Sequence, residues 1–455
     1  MTNDTICALA TMAGGAIGVI RVSGTDAIHI TDKVFRGANR KPLNEYQANT
    51  VHYGEIVDAD GNVVDDVLVS IFRAPHSYTG EDSTEISCHG SRYILGQVLR
   101  ILIANGCRQA KPGEYTQRAF LGGKMDLSQA EAVADLVASS NRATHKMAMS
   151  QLKGHFSSEL SGLRDKLLKI SSLLELELDF SDQDVNFADR QQLLHLAESI
   201  DERITSLAHS FETGKALKEG VAVAIIGKTN VGKSTLLNNL LHEDKAIVSE
   251  IHGTTRDVIE DTTEIHGLTF RFIDTAGIRN TTDKIEQLGI ERTFKKLKEA
   301  SIILWLIDTT PEDQELAEIQ ELCKGKKLII VCNKIDVPDH QPIRVQTFEN
   351  ATQISISAKY GTNLDALETT LYKTANIAEI TENDVIVTNA RHYDALIHAH
   401  ESMARIIDGL NTEVSGDILS EDLHIALEQL GEITGGTISS EEVLHSIFSH
   451  FCIGK

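Results

Sequence analysis

Residues 221–241, VAVAIIGKTNVGKSTLLNNLL, decide the fold at the centre of this chain. Six apolar residues, 221–226, read as a strand buried on both faces. The next eight, GKTNVGKS, fit GxxxxGK[ST] through Gly227, Gly232, Lys233 and Ser234, and a helical pattern follows. Glycines at these positions let successive backbone N–H groups curl around phosphate oxygens at a helix N-terminus, where the peptide dipoles favour negative charge. Lys233 is placed to reach the β- and γ-phosphates, and the Ser234 hydroxyl to bind Mg2+.

Three more motifs follow in order. HGTTRD (252–257) offers Thr255 as a second Mg2+ ligand, and FRFIDTAG ends a strand on Asp274, with the Gly277 N–H placed for the γ-phosphate. KLIIVCNKID ends a strand on Asn333, Lys334 and Asp336, and SISAK (355–359) ends the next. The Asp336 carboxylate can accept both the guanine N1–H and the 2-amino group, so a base lacking them would leave it unpaired. The expected GTP contacts begin with Asn230, Val231, Gly232, Lys233, Ser234 and Thr235. They continue through His252, Gly253, Thr254 and Thr255, then Asp274, Thr275, Ala276 and Gly277. They close with Asn333, Lys334, Asp336, Ser357, Ala358 and Lys359. Four ordered motifs make this a GTP-binding domain. One part differs from Ras-like switches: the position after DTAG holds Ile278 rather than a water-orienting Gln. Arg279, Asp283, Glu286 and Glu291 are the candidates to replace it, and residue chemistry alone does not choose among them.

At 455 residues the chain predicts several domains, and its 41% hydrophobic and 24% charged residues are those of a globular protein. Six cysteines form no CxxC pair, which fits a reducing, cytoplasmic setting, and no apolar run reaches membrane-spanning length. A net charge of −23 argues against broad nucleic-acid binding; a polynucleotide partner would dock on a small, locally basic surface or be held by another protein.

Outward from the centre the texture changes twice. Residues 1–118 mix strand signals (GAIGVIRVSG, VHYGEIV, TEISCHG) with a helix over RYILGQVLRILIANG that ends on Gly106; DADGN (58–62) predicts a hairpin turn. From 119 to 216 helices dominate. Ser128 and Glu131 predict a capping box, and Phe156, Leu160, Leu163, Leu167, Ile170 and Leu174 form a bundle seam. Alternating strands and helices fill 217–378, and helices return over 379–455, as though an α/β block were inserted into one helical domain.

Several stretches carry a closer likeness: GVIRVSG, SYTGEDSTEISCHG, KPGEYTQRAFLGGKMDLSQAEAVADL, IHGTTRD, DTAGIR and the terminal FCIGK. On these the chain resembles the MnmE/TrmE family of tRNA-modification GTPases over essentially its full length. The resemblance implies a multidomain α/β and α+β fold. Residues 1–118 would be an α+β dimerisation and tetrahydrofolate-binding domain, with a Ras-like P-loop domain over 217–378 inserted between helical parts 119–216 and 379–455. It implies a homodimer and K+-dependent GTP hydrolysis, with K+ held by Asn230, Ser249, Ile251 and Thr254 and nucleotide contacts reaching back to Ser249, Glu250 and Ile251. Glu286 would position the attacking water. A 5-formyl- or methylene-type tetrahydrofolate would meet Arg21, Glu85, Lys124 and Lys455. With a FAD-binding partner, MnmG (GidA), such proteins add a carboxymethylaminomethyl or aminomethyl group at C5 of the wobble uridine, position 34, of certain tRNAs, and Cys452 would serve there as acid or base. Ser91 departs from the family glycine, and Ser249 replaces a frequent Thr.

Two other readings compete. A ribosome-associated GTPase of the Era group shares the nucleotide motifs but not the N-terminal stretches or the terminal CIGK. A lipid-anchored switch rests on Cys452 alone, and Gly454 and Lys455 suit that box poorly. Gly454 should instead end the last helix and free the tail to reach across a cleft.

Overall fold

The computed structural model describes residues 4–179, 190–241, 261–273, 299–338, 342–345, 348, 351–377, 381, 384–412, 414–436, 444, 447–449, 451 and 454. Two compact units divide the chain: Met1–Ala138 with Ala148–Thr205 and Asp394–Lys455, and Ser139–Met147 with Ser206–Tyr393. No helix among the described residues is long and apolar enough to cross a membrane.

Unit one contains a seven-stranded sheet. Its strands are β1 (Ile6–Leu9), β2 (Ile17–Ser23), β3 (Phe35–Gly37), β4 (Thr50–Val57), β5 (Val63–Phe72), β6 (Ser83–His89) and β7 (Arg108–Gln109), in spatial order β3-β4-β5-β6-β2-β1-β7. Alternation sets the faces: Val67, Val69 and Ile71 of β5 are buried, while Asp66 and Leu68 point out. The inner face packs on helices Ala27–Val34 and Arg92–Ala104 through Ile28, Ile30, Leu95, Val98 and Leu102. The β4–β5 turn closes as the sequence predicts, with Asp58 Oδ1 accepting the N–H groups of Asp60 (3.0 Å) and Asn62 (2.8 Å).

The helical part of unit one packs helix His155–Asp179 against Gly416–Thr434. The predicted seam is its core: Phe156, Leu160, Leu163, Leu167, Ile170 and Leu174 are all buried. Truncating one of these leucines to alanine would cost about 2–5 kcal/mol. The cap of helix Leu127–Ala138 lies two residues earlier than predicted. Asp126 Oδ1 accepts the Gln129 N–H (2.9 Å), and Gln129 Oε1 accepts the Asp126 N–H (3.0 Å). Ser128 sits inside the first turn and donates to Asp126 at 2.8 Å, because a carboxylate is the stronger acceptor for both donors.

Unit two is a six-stranded sheet in the order β13-β12-β11-β8-β10-β9. The strands are β8 (Val221–Ile226), β9 (Asp261–Ile265), β10 (Leu268–Ile273), β11 (Ile302–Ile307), β12 (Lys327–Cys332) and β13 (Thr352–Ser355), all parallel to their neighbours except the β9–β10 pair. Every residue of β8 and β11 is buried, which explains their unbroken apolar runs. Open parallel sheets of this kind present their ligand-binding loops at the carboxyl ends of the strands.

Candidate nucleotide site and an N-terminal cation–carboxylate pair

In unit two the carboxyl end of β8 enters the loop 227–232 and then helix Lys233–Leu240. Gly227 (φ +150) lies so close to β11 that a Cβ would meet the Leu306 carbonyl oxygen at 2.3 Å. Gly232 (φ +104) is the helix N-cap, and a Cβ there would meet the Asn333 amide at 2.3 Å. Gly227 is therefore required by backbone approach as well as by conformation, and Gly232 by its left-handed φ and the packed Asn333 side chain. Asn230 adopts φ +61 and is exposed, as are Ser234 and Thr235, while Val231 is buried. Lys233 Nζ donates to the carbonyls of Gly227 (2.6 Å) and Lys228 (2.8 Å), which holds the ammonium over the loop.

Asn333 joins this loop to the next two. Buried at the end of β12, it donates to Val231 O (2.7 Å) and accepts the Ala358 N–H (2.9 Å). Asp336 is exposed, and one of its oxygens takes the buried Ser357 hydroxyl at 2.5 Å, leaving the other free to face a ligand. Lys359 is exposed beside Tyr360. The helix N-terminus, the phosphate-loop glycines and an oriented carboxylate fit a purine nucleoside triphosphate with guanine-type donors.

Three residues that the motif reading passed over belong to the same site. Asp308, just beyond β11, pairs with Lys334 Nζ at 2.6 Å. Glu315 pairs with Lys228 of the phosphate loop at 2.9 Å. Asn239 donates to Ala358 O at 2.5 Å. Position at the carboxyl end of a parallel strand was the available signal for Asp308. Ser249, Glu250, Ile251, His252, Gly253, Thr254, Thr255, Asp274, Thr275, Ala276, Gly277 and Glu286 lie outside the described residues, as do Cys452 and Lys455.

In unit one, Arg21 and Glu85 are cross-strand partners on β2 and β6. Arg21 Nε and Nη2 both reach Glu85 Oε1, at 2.9 and 2.8 Å. The guanidinium carbon lies 5.3 Å from the Tyr78 ring centre and 5.6 Å from that of Tyr115, a cation–π setting. Burial pushes both phenols above their ordinary pKa, so both stay neutral. The tail arrives here too: Gly454 is buried, its carbonyl accepts Arg21 Nη1 at 3.4 Å, and a Cβ on it would meet Leu9 O at 2.3 Å. At Gly454 the tail is therefore seated on β1 rather than released from the fold. Lys124 is exposed, and its amine donates to Pro75 O (2.9 Å) rather than to either member of the pair. Ser91 is extended (φ −62, ψ 131), so its departure from glycine strains nothing, whereas a Cβ on Gly90 would strike Gly15 O.

Behind the pair lies a network that explains the GED and PGEYTQR stretches. Arg118, 7% exposed, bonds Asp4 Oδ1 (2.7 Å), Glu81 Oε1 (3.1 Å) and Glu114 Oε1 (3.2 Å), while Arg108 grips Glu114 from the other side. Burial works to raise the Glu114 carboxyl, but hydrogen bonds from Arg108 and the Lys111 N–H outweigh it and hold the pKa below the ordinary value. Asp4 is lowered in the same way against its own burial.

This fold and site define a P-loop GTPase carrying an additional α+β domain and a helical domain. Residues 5–124 match the family model for the GTP-binding protein TrmE N-terminus, and residues 127–452 match that for the MnmE helical domain. A tRNA modification GTPase MnmE of Bacteroides thetaiotaomicron is 56% identical, with both chains covered in full. That of Phocaeicola vulgatus is 52% identical over all of this chain and 99% of its own. The chain belongs to the MnmE family of tRNA modification GTPases, and it is a GTP hydrolase. An Aquifex aeolicus Era variant of known structure is 29% identical over 40% of this chain and 66% of its own, at a TM-score of 0.26.

Proposed function

We propose that the chain hydrolyses GTP to GDP and phosphate in a K+-dependent cycle and, with a FAD-binding MnmG partner, adds an aminomethyl-type group at C5 of the wobble uridine of certain tRNAs. The family assignment over the whole chain carries this reading. Residues 217–378 would act as the GTPase, 1–118 as the dimerising and folate-holding part, and 119–216 with 379–455 as the helical link, in a cytoplasmic homodimer.

The residues present suit the groups this reading requires. Ser234, exposed at the start of helix Lys233–Leu240, would hold Mg2+ together with Thr255. Asn230, exposed and left-handed, offers a side-chain oxygen for K+, which Ser249, Ile251 and Thr254 would share. Bound there, the cations neutralise charge that develops on the phosphate oxygens. Lys233 binds the phosphates, Asp336 and Asn333 position the base, and Glu286 orients the water. The Arg21–Glu85 pair, with Tyr78 beside it, suits the ring end of a tetrahydrofolate: the Glu85 carboxylate for ring N–H donors, oriented by the Arg21 guanidinium. Lys124 and Lys455 would complete that contact. Cys452 would move a proton at the modification step, as a bound folate supplies the one-carbon unit.

Reconstitution tests the reading. The purified chain, its FAD partner, GTP, KCl, a folate one-carbon donor and an amine donor (ammonium or an amino acid) should raise the mass of the wobble nucleoside in a tRNA transcript. NaCl in place of KCl should slow GTP hydrolysis sharply. An unchanged nucleoside with both proteins active would overturn the tRNA reading, and indifference to the ion would overturn the K+ assignment.

A further inference from the structure

Residues 33–42, KVFRGANRKP, carry four basic side chains and no acid, in a chain whose 66 acids outnumber its 43 lysines and arginines. The segment leaves helix Ala27–Val34, forms the edge strand β3 and closes in a 3-10 turn at Leu43–Glu45. Its backbone is fixed. Leu43 is fully buried, and its N–H donates to Asp32 Oδ1 at 2.7 Å. The Arg40 N–H donates to Gly37 O at 3.0 Å, with Arg40 held at φ +51, a conformation few non-glycine residues adopt. Further on, Arg73 Nη2 donates to the carbonyls of Asn44 (2.8 Å) and Tyr46 (3.3 Å).

These restraints form an open groove of about 590 Å3 lined by Arg36, Arg40, Lys41 and Asp32. The nearby acids offset the groove's charge only in part. Asp32, which also lines it, accepts the Leu43 N–H, and exposed Glu45 pairs with Lys41 at 4.0 Å, so three cations face two carboxylates. Glu55 is the cross-strand partner of Arg36 but forms no ion pair with it. The guanidinium groups of Arg36 and Arg40 have no hydrogen bond or ion pair among the described residues. At the rim, Lys41 stands 4.9 Å over the Tyr46 ring, which stacks on His52 at 3.6 Å. The lysine-lined groove of unit two is different: there Lys326 and Lys327 donate to the carbonyls of Ala300 and Ala375, and Lys327 thereby caps a helix C-terminus.

Unpaired guanidinium groups are suited to bidentate phosphate contacts, and the fixed backbone beneath them spares the cost of ordering the loop on binding. We propose that the groove of Arg36, Arg40 and Lys41 docks the sugar–phosphate backbone of tRNA. The proposal rests on the tRNA reading of the family. A local basic groove is the form of contact that a chain of net charge −23 can offer, and stacked rings beside it suit an unpaired nucleotide.

The test is fluorescence-anisotropy titration of labelled, unmodified tRNA with the full chain across a KCl series. Comparison is with the triple variant R36S/R40S/K41S and the charge-preserving variant R36K/R40K/K41R. Loss of three phosphate contacts should lower the slope of log K against log salt by about two to three units. The charge-preserving variant should keep the slope, and GTP hydrolysis without tRNA should be unchanged in both. A triple variant with the wild-type slope and affinity overturns the proposal, as does wild-type chain that binds no tRNA at low salt. Polyglutamate competing as well as tRNA at equal charge would assign the groove to an acidic protein and equally overturn it. None of these outcomes alters wobble-nucleoside mass in reconstitution with the wild-type chain, so this proposal and the tRNA reading fail separately.

Discussion

The nucleotide site and the candidate N-terminal site are built by opposite means. The nucleotide site grows from a contiguous strand, loop and helix, 221–240, with one buried amide, Asn333, fastening the neighbouring loops. The N-terminal site is assembled from strands 64 residues apart, and the tail arrives from 433 residues away. A site set by local backbone depends on glycines and on one brace. A site set by sheet register depends on alternation along strands whose own sequence shows no motif chemistry.

The largest effect should come from breaking the brace. Asn333→Ala leaves the Val231 carbonyl and the Ala358 N–H unpaired in a buried place, at about 1–3 kcal/mol for each group. Affinity for a fluorescent GDP should fall at least thirtyfold by titration, while folate binding to unit one is untouched. Wild-type nucleotide affinity in this variant would show that the loops are organised without it.

Next in size is Glu286→Ala. Nucleotide binding should persist while single-turnover hydrolysis falls about a hundredfold or more, the usual scale for removing a general base. Normal turnover would return the role to Arg279, Asp283 or Glu291.

On the N-terminal side, Arg21→Ala should abolish folate binding measured by calorimetry yet cost little stability. Its pair with Glu85 is part-exposed (20% and 29%), and such pairs contribute about 0.2–1 kcal/mol. Loss of the fold instead would make Arg21 a structural residue.

The smallest effect concerns acid. Glu114 and Asp4 have folded pKa values below their unfolded ones, so the stability they contribute is present above about pH 4 and is lost as pH falls through the folded values. Thermal melts should be insensitive to these groups between pH 5 and 7 and decline below about pH 4. Glu114→Gln should flatten that acid limb, and an unchanged limb would remove the network from the explanation.

Legibility in the sequence followed the same divide. Gly227, Gly232, Lys233 and Asn333 were readable because each is fixed by its immediate neighbours. The seam from Phe156 to Leu174 was readable because a long helix repeats its buried face. The Asp126–Gln129 cap was missed because Ser128 and Glu131 offer the same spacing, and only the folded turn shows which acceptor wins. Asp308 was missed because its partner, Lys334, becomes adjacent only when β11 and β12 pair. Arg21 and Glu85 came from family likeness; the register that joins them is a property of the sheet.

The central claim, that one chain couples this GTPase site to wobble-uridine modification, is tested most directly by nucleoside mass spectrometry of tRNA from cells lacking the gene, rescued with wild type or with Cys452→Ser. The account predicts loss of the C5-modified wobble uridine in the deletion, restoration by wild type and no restoration by the cysteine variant. Unchanged wobble uridines in the deletion would contradict it.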